Sequence, residues 1–490
     1  MAELLFTLVA YQHVVELTAV AITFVVMLSS IDDVIVDVCF WTHRLYRWFV
    51  RARFRPLTVN NLISRPERPI AIMVPAWKEH DVIYSMLRTN SVLLEYRQHH
   101  FFVGVYGNDP ATASEVRRAM QDFSNVSMVT VPRPGPTSKA DCLNEIISAI
   151  AVHEREKGIR FEGFALHDSE DVIHPYELKL FNYLLERNDL IQLPVYSFRC
   201  GLEKLVAGTY MDEFAEAHGK ELVVREALTG IVPCAGVSAC FSRRAIEALR
   251  QEGGEVFRIG SLTEDYDIAF RLREHGMKEI FARFPVRFTI ETASTGGRPL
   301  LTEKKLPIAT REYFPSDFRA AYRQRARWLL GIVFQGWSQH GWRGSLAAKY
   351  FFIRDRKGVV TAPLAVLAYL CIGNFVALEM FYRLLPGDLQ LYYIMLDTDW
   401  YRAMLLANLL FLANRVVHRT YFTTVVYGWA HGAMAGPRMI VSNFLNFFAA
   451  LRAAKIFLLH KLTGQAIAWD KTQHVYPVGH GHSLNVAVPS

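Results

Sequence analysis

The residues of this chain best suited to chemistry are acidic and closely spaced. Asp168-Ser169-Glu170-Asp171 places three carboxylates directly after the apolar run Phe161 to Leu166. Carboxylates crowded at the end of a buried strand repel one another, and a bound cation relieves that repulsion. Hard oxygen ligands suit Mg²⁺ or Mn²⁺, which bridge protein carboxylates and substrate phosphates. Asp168, Glu170 and Asp171 are the expected metal ligands, with a bare acidic turn as the plainer alternative. A second acidic group, Thr263-Glu264-Asp265, opens a helical pattern that runs through Tyr266, Ile268, Phe270 and Leu272 to Gly276. Two acids after a threonine are also what an ordinary helix N-cap looks like.

Basic and aromatic candidates lie between and beyond these acids. In Gly135-Pro136-Thr137-Ser138-Lys139-Ala140-Asp141 a tight turn delivers Lys139 to a helix N-terminus, a place that favours a pyrophosphate; the alternative is a helix simply capped by Ser138. Glu79 follows Val74-Pro75-Ala76-Trp77-Lys78, and Asp109 follows Tyr106-Gly107-Asn108. Each alone reads equally as a solvated carboxylate or a cap. Gln324, Arg327 and Trp328 fall at i, i+3 and i+4 of a helix expected from Ser316, so they share a face. An indole beside two donors suits a sugar ring, and equally suits an interfacial tryptophan with snorkelling arginines.

The elements that must hold these residues alternate. Strands are expected at Pro69–Pro75, Phe101–Tyr106, Ser127–Val131 and Phe161–Leu166, and helices at Asp81–Tyr96, Ala111–Phe123 and Lys139–His153. Such alternation predicts an α/β, doubly wound sheet whose ligands sit at the carboxyl ends of the strands, where the acidic groups lie.

Four hundred and ninety residues, 51% of them hydrophobic, exceed one globular core. The net charge of +7 is explained by basic residues beside apolar segments, so no nucleic-acid partner is implied. Six cysteines without Cys-x-x-Cys pairs argue against a zinc module or a disulfide framework and fit a reducing compartment. Leu4 to Leu28 is long enough to cross a bilayer, and without a basic start or small-residue cleavage site it reads as an uncleaved anchor. The basic flank His43, Arg44, Arg47, Arg51, Arg53 and Arg55 places that end in the cytoplasm. Gln12, His13 and Glu16 share a face, either at the outer interface or along a polar sugar path. Val359–Tyr382 and Tyr401–Val417 read as a membrane hairpin. Tyr421–Leu459, broken by Gly436, Pro437, Arg438, Asn443, Asn446 and Arg452, reads as interfacial helices or a second hairpin. The expected organisation is an anchor at 1–30, a basic juxtamembrane helix at 31–65, a catalytic domain at 66–345, the hairpin at 346–420, further helices at 421–462 and a cytoplasmic tail at 463–490.

The order strand-end Glu79, Asp109, Lys139, acidic cluster, Thr-Glu-Asp, Gln-x-x-Arg-Trp and then apolar helices resembles glycosyltransferase family 2, in particular its processive membrane enzymes such as cellulose, chitin and hyaluronan synthases. The longer strings Ile72–Trp77, Arg133–Asn144, Ser261–Asp267, Arg311–Pro315 and Ala468–Thr472 resemble the branch of that family named for phage adsorption. The resemblance implies a GT-A catalytic fold and a UDP-sugar donor, UDP-ManNAc or UDP-GlcNAc. It implies Pro75, Glu79 and Asp109 around the uridine, Lys139 on the diphosphate, and Asp168 and Glu170 as the metal and donor pair. It implies Asp265 as general base, Glu264 beside it, and Gln324, Arg327 and Trp328 at the acceptor. Glu170 stands where an aspartate is usual, with Asp171 next to it, so the carboxylate that touches the metal stays open. The same resemblance implies an oligosaccharide acceptor, the bacterial inner membrane, an outer-membrane exporter and a separate cyclic-di-GMP-binding subunit, since the 30 residues after the last apolar segment are short for a regulatory domain. A transferase acting on a lipid carrier, or a non-enzymatic phage-receptor or scaffold protein, are the competing classes.

Overall fold

The computed structural model describes residues 2–51, 56–292, 300–384, 393–464 and 476. Arg53 and Arg55 of the basic flank and the string 468–472 lie outside the described residues. The chain opens with α1 (Ala2–Arg51) and α2 (Val59–Ile63). A sheet and its helices follow: β1 (Ile70–Pro75), α3 (Ile83–Leu93), β2 (His99–Tyr106), α4 (Pro110–Asp122), β3 (Val126–Val131), α5 (Lys139–Lys157) and β4 (Gly163–Leu166). These are the expected alternating elements, with ends shifted by a few residues. Ile70, Ile72 and Val74 of β1 pack into one apolar layer and Ala71 and Met73 into the other, so both faces of the strand are covered. This is why the run is continuously apolar rather than alternating.

Next come α6 (Glu177–Leu184), β5 (Leu190–Gln192), β6 (Val195–Ser197), α7 (Leu205–Glu216), a π-turn at Ala217–Glu221 and α8 (Leu222–Thr229). They are followed by β7 (Ala239–Ser242), α9 (Arg243–Gly253), α10 (Glu264–Glu274), β8 (Glu279–Phe281), β9 (Pro285–Thr292), β10 (Leu300–Pro307) and β11 (Thr310–Glu312). The main sheet has the order β3-β2-β1-β4-β7-β5-β8. Strand β7 runs antiparallel to both neighbours, pairing Ala239 with Leu166 and with Gln192. Its reversed direction carries the loop before it to the carboxyl ends of β4 and β5, the edge where the acidic motif emerges. The fold is a GT-A-like mixed α/β sheet.

The chain continues through α11 (Phe318–Leu329), a π-turn at Leu330–Gln335, α12 (Gly336–His340), α13 (Leu346–Leu384), α14 (Asp399–Tyr427) and α15 (Trp429–Thr463). Among the described residues three helices are long and apolar enough to cross a membrane, at 6–50, 346–384 and 429–463. The stretch Tyr401–Val417, read as the return arm of a hairpin, belongs to α14, which is not one of the three. The interrupted stretch up to Leu459 is not a hairpin: Tyr421–Tyr427 end α14, and from Trp429 onward it is one helix, long and apolar enough to cross a membrane. Its polar residues do not break it because each finds a partner. Arg438, fully buried, pairs with Asp212 at 3.0 Å, and Asn443 donates to Tyr369 at 2.7 Å. At 50 residues α1 is about 75 Å long, far more than a bilayer needs. Past its apolar part, Asp32 and Asp33 pair with Arg354 and Lys357 of α13. Glu16 is buried and accepts the backbone N–H groups of Met395 and Leu396, which tie α1 to the segment before α14.

Candidate active site

Four elements deliver side chains to the carboxyl edge of the sheet. Ser138 caps α5, its hydroxyl accepting from the Asp141 N–H at 3.1 Å, and this cap sets Lys139 at the first helical position. The capped helix that the sequence offered as the plainer alternative is thus present. The Lys139 ammonium lies 2.5 Å from Asp168 Oδ1 and donates to the Gly236 carbonyl at 3.2 Å. Gly236 belongs to the loop before β7 and has φ +76°; a Cβ there would come 2.5 Å from Asp265 Oδ2 and 3.5 Å from Lys139 Nζ. Lys139, Asp168, Gly236 and Asp265 thus meet around one point. Gln192 fixes the loop, donating to the Val237 and Ser238 carbonyls and accepting from the Ala235 N–H at 2.9 Å. The sequence reading missed Gly236 and Gln192. A glycine in a Pro-Cys-Ala-Gly loop before a strand was the available signal.

The charges at this point act on one another. Burial alone would lower the Lys139 pKa, but Asp168, Glu264 and Asp265 together raise it. Burial pushes Glu264 up to about 7, helped by the charge of Asp265 and opposed by Lys139. Burial also raises Asp265, while Lys139 and Arg327 pull it back. Arg327 belongs to α11, so the charge of that helix acts on Asp265.

The Thr-Glu-Asp segment is held from the side of α11 and its π-turn. Among the described residues Thr263 makes no side-chain cap for α10. Its side chain packs instead on Gly331, where any Cβ would collide with it. Gln335 accepts from the Leu262 N–H at 2.8 Å and donates to the Gly260 carbonyl at 3.2 Å. Helix α11 itself starts after Asp317, which caps it, rather than at Ser316. Trp328 is half-buried, edge-on to Tyr210 at 6.1 Å and near Phe214 at 6.2 Å, and Phe314 stacks on Tyr210 at 4.7 Å. The tryptophan therefore sits in an aromatic cluster within the protein. Gln324 and Arg327 share its helix, while Arg325 points into the core to Glu213, Thr209 and Asn446.

At the β1 and β2 ends, Asp109 is buried and its carboxylate is used by backbone: Oδ2 accepts from Lys78 N at 2.5 Å and Oδ1 from Thr112 N at 3.4 Å. Lys78 adopts φ +56° beneath this bond. Glu79 is buried beside it, its N–H donating to Thr112 Oγ1 at 2.9 Å. Trp77 packs edge-on to Tyr106 at 5.1 Å. Pro75 ends β1, and its carbonyl accepts from the Ser169 hydroxyl at 3.3 Å, joining this region to the acidic motif.

Within that motif the structure corrects one expectation. Asp171 is fully buried and accepts from His167 Nδ1 at 2.9 Å and from the Asp168 N–H at 3.1 Å. His167 Nε2 lies 3.0 Å from Glu177, which also accepts from Thr310. Burial opposes protonation of His167, but Glu177 and Asp171 raise its pKa to about 9, while burial raises that of Asp171 itself, so the imidazole and the two acids share their protons in one buried row. Asp171 is thus turned into the core, where His167 and the Asp168 N–H hold its Oδ2 and its Oδ1 is buried without a hydrogen-bond partner among the described residues. Asp168 and Glu170 remain, and among the described residues no cluster of three or more His, Cys, Asp or Glu could hold a metal ion by itself.

Residues 66–331 match the family described as Glycosyltransferase like family 2. The chain belongs to this family. All the site residues from Pro75 to Trp328 fall inside the matched segment of this glycosyltransferase-family chain. It is also 44% identical over 466 residues to Bacteriophage adsorption protein B of Escherichia coli (strain K12) and to Bacteriophage N4 adsorption protein B of Escherichia coli O157:H7. In each case the match covers 94% of this chain and 62% of the relative, so the chain spans less than two thirds of their length. Among solved structures it is similar to a mannosyltransferase from Pyrobaculum calidifontis in complex with GDP-Man and Mn²⁺ (16% identity, TM-score 0.44, 88% of this chain and 99% of that one). It is also similar to glucosyl-3-phosphoglycerate synthase from Mycobacterium tuberculosis in complex with Mn²⁺ and UDP-Glc (17%, TM-score 0.29, 45% and 71%).

Proposed function

We propose that this protein is an inner-membrane, inverting glycosyltransferase that moves an N-acetylhexosamine from UDP-ManNAc or UDP-GlcNAc onto a growing envelope exopolysaccharide, processively, with its catalytic domain in the cytoplasm. The observation that carries the proposal is the meeting of Lys139, Asp168, Gly236 and Asp265 at the carboxyl edge of the sheet. Family membership and the apolar helices support it.

Asp265 is the base. The acceptor hydroxyl attacks the anomeric carbon, the bond from that carbon to the diphosphate breaks with its electron pair leaving on UDP, and the hydroxyl proton passes to the Asp265 carboxylate. A buried carboxylate with a raised pKa takes that proton more readily than an exposed one. Lys139 exchanges its contact with Asp168 for the departing diphosphate. Pro75, Glu79 and Asp109 shape the uridine side, Asp109 by holding the backbone of Lys78. Gln324, Arg327 and Trp328 bind the acceptor sugar, with Glu264 beside them. Mg²⁺ or Mn²⁺ fits Asp168 and Glu170, because such ions are commonly held by one or two carboxylates plus substrate phosphates and water; Asp171 does not fit. When bound, the cation supplies positive charge to the leaving diphosphate. An outer-membrane exporter and a cyclic-di-GMP-binding subunit are the proposed partners.

The test is UDP release from membranes containing the protein, across a panel of UDP-sugars with Mg²⁺ or Mn²⁺. Asp265→Asn is expected to abolish release while UDP binding persists; loss of UDP binding together with release counts against a base. A second reading, a phage-receptor protein without catalysis, is favoured by the names of the relatives. It requires Asp265→Asn to keep full biological function.

A further inference from the structure

The residue after Asp265 has its partners outside the pocket. Tyr266 donates its backbone N–H to Asp265 Oδ1 at 2.8 Å, so it directs that carboxylate from behind. Its ring leaves the pocket and is buried with Phe270, Ile231, Ala348 and Phe352. Its hydroxyl donates to Asp355 Oδ2 at 2.6 Å. Asp355 belongs to α13, whose apolar part is one of the three helices fit to cross a membrane. Arg225 of α8 grips the same carboxylate with two bonds of 2.9 Å, and its guanidinium lies over the rings of Tyr266, Phe270 and Phe351. Paired, planar bonds of this kind fix direction as well as distance. Asp355 cannot move without stranding a buried guanidinium. Tyr266 thus touches the acidic pair with one end and a membrane helix, held rigidly, with the other.

We propose that Tyr266 is a positioning residue: it sets the aim of the Asp265 carboxylate by referring it to α13 through Asp355, with Arg225 locking the reference. The proposal rests on Asp265 being the base. It goes beyond that reading by making the membrane helix a part of what aligns the reaction.

Tyr266→Phe keeps the ring, the buried cluster and the Arg225–Asp355 pair, and removes only the hydroxyl. Tyr350→Phe is the control, since it removes a similar bond from α13 to Asp32, away from the acidic pair. Both are made in the full chain in nanodiscs, with UDP-GlcNAc and UDP-ManNAc as probes. Tyr266→Phe is expected to lower kcat about tenfold, the size one hydrogen bond to a charged group supports, with the donor KM unchanged. Tyr350→Phe is expected to leave both unchanged. Amide exchange is read on the same samples without any donor. Faster exchange confined to residues 264–270 in Tyr266→Phe supports the proposal; unchanged exchange there overturns it. Wild-type kcat in Tyr266→Phe while Asp265→Asn is inactive also overturns it. An active Asp265→Asn sinks the base assignment instead, and exchange then decides the mount alone.

Discussion

Replacing Gly236 by alanine tests the site at its narrowest point. The substitution has two separable effects. At φ +76° a side chain strains the backbone by about 1–2 kcal/mol. The new methyl also arrives 2.5 Å from Asp265 Oδ2, whereas a comfortable contact is about 3.5 Å, so the carboxylate or the loop must move by about 1 Å. A misplacement of that size costs about 10²-fold in rate. Gly158→Ala separates the two effects, because Gly158 has φ +65° and open space where its Cβ would stand. Both variants should unfold at slightly lower temperature than the wild type. Only Gly236→Ala should lose turnover, by about 10²-fold, measured as UDP release at saturating donor. If the two variants turn over alike, the close packing of loop, lysine and base is not what the reaction depends on.

Glu264→Gln should alter stability in a pH-dependent way. In the folded protein the Glu264 pKa is raised from 4.5 to about 7, so the folded state holds its proton longer than the unfolded chain does. Its contribution to stability therefore falls as pH rises from about 4.5 to 7 and stays low above that. The glutamine variant should melt higher than wild type at pH 8, with the difference gone at pH 4; thermal melts at both values check this. Trp328→Ala should shorten polymer and weaken acceptor engagement with little change in donor KM, and unchanged product length and rate would remove the stacking role.

Much of the catalytic half was legible in the sequence. Buried parallel strands read as apolar runs, and the polar residues after them fell where the sheet edge emerged. What was not legible depended on tertiary direction. Nothing in the four residues Ala239–Ser242 signals that β7 runs backwards, yet that reversal brings Gly236 to Lys139. Asp171 looked like its neighbours in sequence, and only the imidazole behind it turns it inward. The rings around Trp328 are Tyr210 and Phe214, one turn apart on α7, and Phe314 before α11, and nothing in the sequence shows that these two segments meet. In α15, Pro437 and the buried polar residues read as breaks, because the sequence does not display the partners that satisfy them.

The acidic turn of α1 has a consequence for how the protein is made. Asp32 leaves the ribosome 322 residues before Arg354. At about 5–20 residues per second, that gap lasts roughly 15–65 s. For that time Asp32 and Asp33 have none of their α13 partners, while the residues of the catalytic domain are synthesised. The ion pairs between α1 and α13 thus form late in synthesis, only once the residues between the two helices have been made.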